Sequence, residues 1–274
     1  MKKILLLVFT VSLISVTMAE TYTYTDDAGY TWTYYAGRSV GVAPNWVEAD
    51  LVLVSISPSP VGRMVMPNSI RGYDVIAIAD GAFNGLYQVT EIEFPNKVSR
   101  IGYDAFKACT GLKRVVIPNR ITKVGSGAFD YCSNLKEVVL SSGMTEIVGI
   151  FNNCTALQNI TIPDSITKIY SAFDNCTSLK SVVTPDSVTS IGGAFRGCTA
   201  LRYLVLGHAV TDVYYMDSST FSGCTMLWNI VNLSPLKLNK GEGIARYAKK
   251  IYTEIPEGWC DMSPIYYTDR KSVV

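Results

Sequence analysis

The alternation of apolar and polar positions changes character twice along the chain. Met1-Lys2-Lys3, the apolar run Ile4 to Val16 and then Thr17-Met18-Ala19 have the layout of a secretory leader cleaved near Ala19. That run falls short of the roughly 20 apolar residues that cross a bilayer, and no later segment reaches that length. From Thr21 to Tyr35, Tyr22, Tyr24, Tyr30, Trp32 and Tyr34 alternate with threonines around Asp26-Asp27-Ala28-Gly29, which predicts a β-hairpin. Ser57-Pro58-Ser59-Pro60 marks a bend, and beyond it the pattern becomes periodic.

Phe83, Phe106, Phe129, Phe151, Phe173, Phe195 and Phe221 are separated by 23, 23, 22, 22, 22 and 26 residues. The last six each open a Phe-x-x-Cys ending at Cys109, Cys132, Cys154, Cys176, Cys198 or Cys224. Three residues after each cysteine stands a leucine, from Leu112 to Leu227, and three further on Val115, Val138, Ile160, Val182, Leu204 or Ile230. Self-similarity at this period predicts a solenoid. Within a coil, Val115 and Ile117 alternate around Val116 as in a strand, and Pro118 stops it because proline donates nothing to a ladder. Ile121 and Val124 form a second short extended stretch, and Ala128, Phe129 and Cys132 fall at the spacing of a helical turn. A lone coil of 22 residues buries too little apolar surface to offset its ordering, so neighbours must close its core. The fold class expected is a right-handed, leucine-rich-repeat-like solenoid with short parallel strands and helical turns.

The recurring A-F-x-x-C-x-x-L-x-x-V-x-I-P-x-x-[IV]-T-x-I unit resembles the BspA-type leucine-rich repeats, a cysteine-containing bacterial class also found in treponemal surface proteins. The resemblance covers about Met64 to Leu233. Ser141-Ser142 and Gly207-His208 replace the proline-centred turn in two coils, and Ile150 and Thr220 replace the alanine. The resemblance implies a non-enzymatic, adhesin-like module, secreted, periplasmic or on the cell surface, whose partner is an extracellular or cell-surface protein.

The ends of such an array need caps, because each exposes an apolar coil and an unpaired strand edge. The aromatic hairpin is read as the N-terminal cap, with an exposed sugar-stacking platform as the alternative. Asn232 breaks the inward pattern, and Ile244, Tyr247, Ala248 and Ile251 have helical spacing after Gly243, which predicts a short closing helix. Lys237, Lys240, Arg246, Lys249 and Lys250 make this end locally basic, which is read as a solvated face or as an attractor for an acidic surface. The expected organisation is a leader at 1–19, an aromatic β cap at 20–60, an array of about seven coils at 61–233 and a C-terminal cap and tail at 234–274.

Composition narrows the function. Without the leader the chain has 255 residues, 22 basic and 23 acidic side chains and a net charge of −1. Overall charge therefore gives no footing for a nucleic-acid partner. One histidine, His208, lies at a turn position that other coils fill with Asn119 or Asp164, so histidine catalysis and histidine metal sites have no support. Asp164 and Asp186 share that turn, but two carboxylates make a poor calcium site. The six ladder cysteines are read as buried thiols; disulfides between neighbouring coils would need side chains that converge, whereas stacked ones run parallel. Cys260 is left free or bonded to Cys224. No cofactor is expected, and the chain is expected to be monomeric.

Asn153, Asn159, Asn175 and Asn232 match the N-glycan acceptor triplet. Asp164-Ser165-Ile166 and Asp186-Ser187-Val188 resemble an O-glycan acceptor triplet, and repetition alone can generate both patterns. An enzyme would need two facing carboxylates, for which Asp26, Asp27 and Glu48 are the candidates in the aromatic cap. The stronger reading lies on the strand face. With Val115 and Ile117 inward, the outward pairs are Arg114/Val116, Glu137/Val139, Asn159/Thr161, Ser181/Val183 and Tyr203/Val205. Four valines and a threonine on a solvent face, flanked by polar side chains, fit a recognition strip; the plainer explanation is the strand propensity of valine. The function expected is a protein-binding module acting through this face. A structural spacer, or a carbohydrate-binding protein using the aromatic cap, stands as the alternative.

Overall fold

The computed structural model describes residues 21–36, 50–214, 220–241 and 243–256. It is a leucine-rich-repeat-like β-solenoid of about eight turns. The leader, Glu48 and Cys260 lie outside the described residues.

Each coil has three sides. One carries the V-x-I strands Gly62–Val65, Val89–Glu93, Arg114–Val116, Glu137–Val139, Ser181–Val183, Tyr203–Leu206 and Asn229–Asn232. A second carries the T-x-I strands Arg100–Ile101, Lys123–Val124, Glu146–Val148, Lys168–Tyr170, Ser190–Gly192 and Asp212–Tyr214, headed by Tyr73–Ile78. Pairing between coils is parallel, so equivalent residues stack: Val138 on Val115, Ile169 on Ile147, Leu204 on Val182 and Ile230 on Leu204. The same alternation that sends these side chains inward sends their neighbours out.

The third side holds the Phe-x-x-Cys segments, which form turns and not helix. Their backbone N–H groups bond to the next coil: Phe106 N–H to Ala128 O at 2.8 Å and Phe173 N–H to Ala194 O at 2.8 Å. Locally the turns are closed by isolated bonds such as that from Cys176 N–H to Phe173 O at 3.1 Å. The residue before the cysteine then enters the left-handed region, with φ of 56° at Ala108, 61° at Tyr131, 62° at Asn153 and 59° at Asn175. A left-handed residue ends any helical run. The spacing of Ala128, Phe129 and Cys132 therefore marks a stacked turn, which corrects the helical reading.

The core is a column. Phe106, Phe129, Phe151, Phe173, Phe195 and Phe221 stack with ring centroids 5.3 to 5.8 Å apart and planes within 13° of parallel. Beside them runs the cysteine ladder, in which each S–H donates to the carbonyl of the phenylalanine one coil back: Cys132 to Phe106, Cys154 to Phe129, Cys176 to Phe151 and Cys198 to Phe173, at 3.2 to 3.3 Å. All six ladder cysteines are buried free thiols. Cysteine serves here as a small apolar residue that also satisfies a buried carbonyl.

Thr21–Thr25 and Thr31–Ala36 pair antiparallel, and Leu51–Ser57 joins them to the T-x-I sheet by pairing parallel with Tyr73–Ile78. Asp26 fixes the hairpin turn: Oδ1 accepts the N–H groups of Ala28 and Tyr30, and Oδ2 accepts Trp32 Nε1–H at 2.8 Å. Trp32, 1% exposed, meets Phe83 edge to face at 6.2 Å, so the hairpin closes the N-terminal end of the phenylalanine column.

The C-terminal end closes differently from expectation. Gly243–Ala245 is a single 3-10 turn, and Lys250–Tyr252 is a strand that pairs parallel with Asn229–Asn232. The spacing of Ile244, Tyr247, Ala248 and Ile251 is met by a turn followed by a strand, which places Ile251 beside Ile230 and leaves Tyr247 exposed. A closing strand pairs the open edge of the sheet, which a helix laid over the end would leave unbonded. Asn232 ends its strand by donating Nδ2–H to Leu236 O at 2.7 Å.

Candidate functional site

The outer face of the V-x-I sheet is built by strand alternation. Inward Val115, Val138, Val182 and Leu204 are buried, which turns the residues on either side to solvent. Of the strip named from sequence, Arg114, Glu137, Val139, Asn159 and Thr161 are exposed, and Val116, Ser181, Val183, Tyr203 and Val205 are half-buried. Val139 is the most open valine of that strip, 42% exposed. Register stacks Val139 on Val116 and Val205 on Val183, so the valines cover one another's flanks.

The face is not one uninterrupted sheet. Residues 158–162 form no strand, although Ile160 and Ile162 keep the inward pattern, and Ile160 is only half-buried. Asn159 and Thr161 therefore sit between two strand blocks. The two short sheets on the N-terminal side are charged: Arg63 pairs with Glu93 on one, and Arg114 Nε donates to Glu137 Oε1 at 2.9 Å on the other. The C-terminal block is neutral apart from Lys250, with Ser181, Tyr203 and Asn229 in register.

Sequence reading stopped the strip one or two coils early at each end. Arg63, Val65, Glu91 and Glu93 extend it before Arg114, and Asn229, Lys250 and Tyr252 extend it after Tyr203. The alternation in Val89–Glu93 carried that signal, whereas the closing strand carried none. The outer row of the T-x-I sheet was also missed: Lys123, Glu146, Lys168 and Asp212 line it, and Ser190, in register with them, is buried and accepts Tyr170 O–H at 2.8 Å.

Candidate chemistry elsewhere resolves into structural contacts. Asp186 Oδ1 accepts His208 N–H at 3.0 Å and faces His208 Nδ1 at 2.9 Å, on an exposed turn. Asn175 Nδ2–H donates to Asn153 Oδ1 at 3.2 Å, and Ser187 Oγ–H donates to Ile166 O at 2.7 Å. Among the described residues no three His, Cys, Asp or Glu side chains group to hold a metal ion. Burial pushes the thiols of Cys109, Cys176 and Cys224 up to about 12 and keeps the remaining ladder thiols protonated as well. These are inert thiols, since nucleophilic cysteines need a stabilised thiolate. Burial also raises Asp130 and Asp174, whose Oδ1 atoms accept the N–H of Asn152 at 2.8 Å and of Arg196 at 3.2 Å in the next coil.

Comparison with known proteins gives the same repeat. The family described as BspA type Leucine rich repeat region matches six copies over residues 65–171 and 148–240. A leucine rich cell surface protein from Faecalibacterium prausnitzii is 27% identical, with a TM-score of 0.62 over 79% of this chain and 56% of that one. The chain thus spans little more than half of that protein's length. A Leucine Rich Repeat protein of T. pallidum is 20% identical over 81% of this chain and 79% of its own, with a TM-score of 0.40. One from Bacteroides ovatus is 21% identical over 81% and 74%, with a TM-score of 0.37. No curated protein sequence matches the chain. No helix among the described residues is long and apolar enough to cross a membrane.

Proposed function

The chain belongs to the BspA-type leucine-rich repeat family, and from that premise we propose that it is a secreted or cell-surface, adhesin-like module that binds an extracellular protein through the outer face of its V-x-I sheet. In this reading residues 1–19 are the leader, 20–60 and 234–274 the caps, and 61–233 the array. The observation that carries it is the register of the strands. Parallel stacking lines up the outward residues of successive coils within each strand block, with Val139 on Val116 and Val205 on Val183 along an apolar row and polar side chains along the other. An apolar stripe rimmed by polar side chains is the composition of a recognition surface. Catalysis has no comparable support: Asp26 is committed to the hairpin turn and Trp32 is buried beneath it, and leucine-rich repeat proteins are generally non-enzymatic.

The test is saturable binding of the leaderless protein to immobilised extracellular-matrix proteins and to purified bacterial surface proteins, with Val139→Lys and Val183→Lys beside wild type. Binding that both variants weaken about tenfold or more supports the strip, since a lysine buried in the contact must be desolvated. Binding that both retain moves the site off this face. No saturable binding to any of these proteins favours a structural spacer.

A further inference from the structure

One column of side chains is set apart by the sign of its charges. At the corner that leads into each V-x-I strand stands one residue per coil, which follows the ladder leucine in the repeats and Ala248 before the closing strand. Backbone bonds fix the stacking: Lys136 N–H to Lys113 O at 2.9 Å, Lys180 N–H to Gln158 O at 3.0 Å, Arg202 N–H to Lys180 O at 2.9 Å and Lys249 N–H to Trp228 O at 2.8 Å. The charged members are Lys113, Lys136, Lys180, Arg202 and Lys249, all exposed. Gln158 and Trp228 occupy the other two positions from Lys113 onward, and no position holds an acid. None of the five cations pairs with a carboxylate among the described residues. Lys180 Nζ donates to Gln158 Oε1 at 3.0 Å, and Lys249 lies over the Trp228 ring at 3.9 Å.

Solubility alone does not demand one sign, and stacked like charges repel. The adjoining column shows the usual remedy, since Arg114 there stacks on and pairs with Glu137. We propose that this basic column is a binding edge for a linear acidic polysaccharide, a ligand distinct from the protein partner of the sheet face. At the roughly 4.8 Å spacing of paired strands the seven positions from Lys113 to Lys249 run for about 29 Å, and at the Gln158 rung, which is not in a strand, the backbone bond from Lys180 N–H holds the stack. Its cations fall one or two rungs apart along the stack. A polysaccharide bearing sulfate or carboxylate groups on successive or alternate sugars presents its anions in the same linear manner. Duplex DNA places phosphates about 3.4 Å apart on each of two strands, which the rung spacing does not follow. Single strands are held by aromatic rings interleaved with the cations, and Trp228 alone supplies one here.

The test uses the leaderless protein and a heparin oligosaccharide as the linear polyanion. Wild type is expected to bind with an affinity that falls as sodium chloride is raised. Lys136→Gln/Lys180→Gln/Arg202→Gln is expected to weaken binding by about tenfold or more, the sum of three exposed ion pairs. Lys123→Gln/Lys168→Gln/Lys240→Gln loses the same net charge elsewhere and is expected to bind as wild type does. Equal loss in both triple variants, no binding by wild type, or a salt-insensitive affinity overturns the proposal. Equal affinity for single-stranded oligothymidine of matched charge overturns the polysaccharide assignment. Heparin binding retained by Val139→Lys keeps this edge separate from the sheet face, whereas its loss there overturns the separation.

Discussion

Raising the pH from about 8 to about 10 acts on the cysteine ladder from inside, because the six thiols are neutral in the column and ionise once the chain opens. An ordinary thiol titrates near 9.0, and burial moves Cys109, Cys176 and Cys224 up to about 12. Burial holds Cys132, Cys154 and Cys198 above their ordinary value as well. Each is an acid that keeps its proton when folded and loses it when unfolded, so the unfolded chain binds fewer protons and stability falls with rising pH. The stabilisation is whole below about pH 9 and drains away between about 9 and 12. One pH unit above its ordinary value, each thiol removes a little over 1 kcal/mol, and six remove roughly 8 kcal/mol, comparable to the total stability of a domain. Urea titrations followed by far-ultraviolet circular dichroism at about pH 8, 9 and 10, with a phosphine reductant present, measure the decline. Cys154→Ala/Cys176→Ala starts from a lower baseline, because each change removes a packed sulfur and its S–H bond. Its stability is nevertheless expected to fall with pH only about two-thirds as steeply as that of wild type. Parallel declines in wild type and the double variant would refute the linkage to the ladder thiols.

Tyr131 is a bulky residue in the left-handed region at φ of 61° and is 51% exposed, so its ring repays little of the backbone strain. Tyr131→Gly is expected to raise stability by about 0.5–1 kcal/mol, read as a higher urea midpoint at unchanged slope. Phe151 has ring neighbours at 5.6 and 5.8 Å, whereas Phe221 has one among the described residues, at 5.4 Å. Phe151→Ala is therefore expected to cost about 3–5 kcal/mol and Phe221→Ala about 1 kcal/mol less, and equal losses would show that the stack adds nothing beyond burial.

Local pattern carried much of this fold. The tyrosine–threonine alternation specified the hairpin because both strands and their turn lie within Thr21–Ala36, and the phenylalanine spacing specified the solenoid because each coil repeats the same inward residues. What escaped depends on contacts between coils. The cysteine S–H to phenylalanine carbonyl bonds join residues 25 to 29 positions apart, so spacing revealed that cysteine recurs without revealing why. Residues 158–162 have a strand's alternation but no strand, because a three-residue strand exists only through the edges on either side of it. The closing strand reads as a helix in the sequence because four apolar residues over Ile244–Ile251 satisfy either geometry until a partner edge is known. The face of the candidate strip was legible from alternation, but the mutual shielding that leaves half of its residues only partly exposed was not, since that follows from register. The basic column stands one residue ahead of each strand, at a position that the inward apolar pattern does not mark.

The cysteine ladder also gives the array a direction. Each ladder S–H points to the coil before it, and each Phe-x-x-Cys turn from Phe106 to Phe195 presents the same carbonyl to the coil after it. A coil is therefore a plug on one side and a matching socket on the other. An in-frame gene duplication of one 22-residue unit would seat a new rung without altering either neighbour's contacts, and a deletion of the same length would close the gap as cleanly. Reach along the axis can thus be lengthened or shortened by recombination while both caps, and whatever lines the faces, are kept.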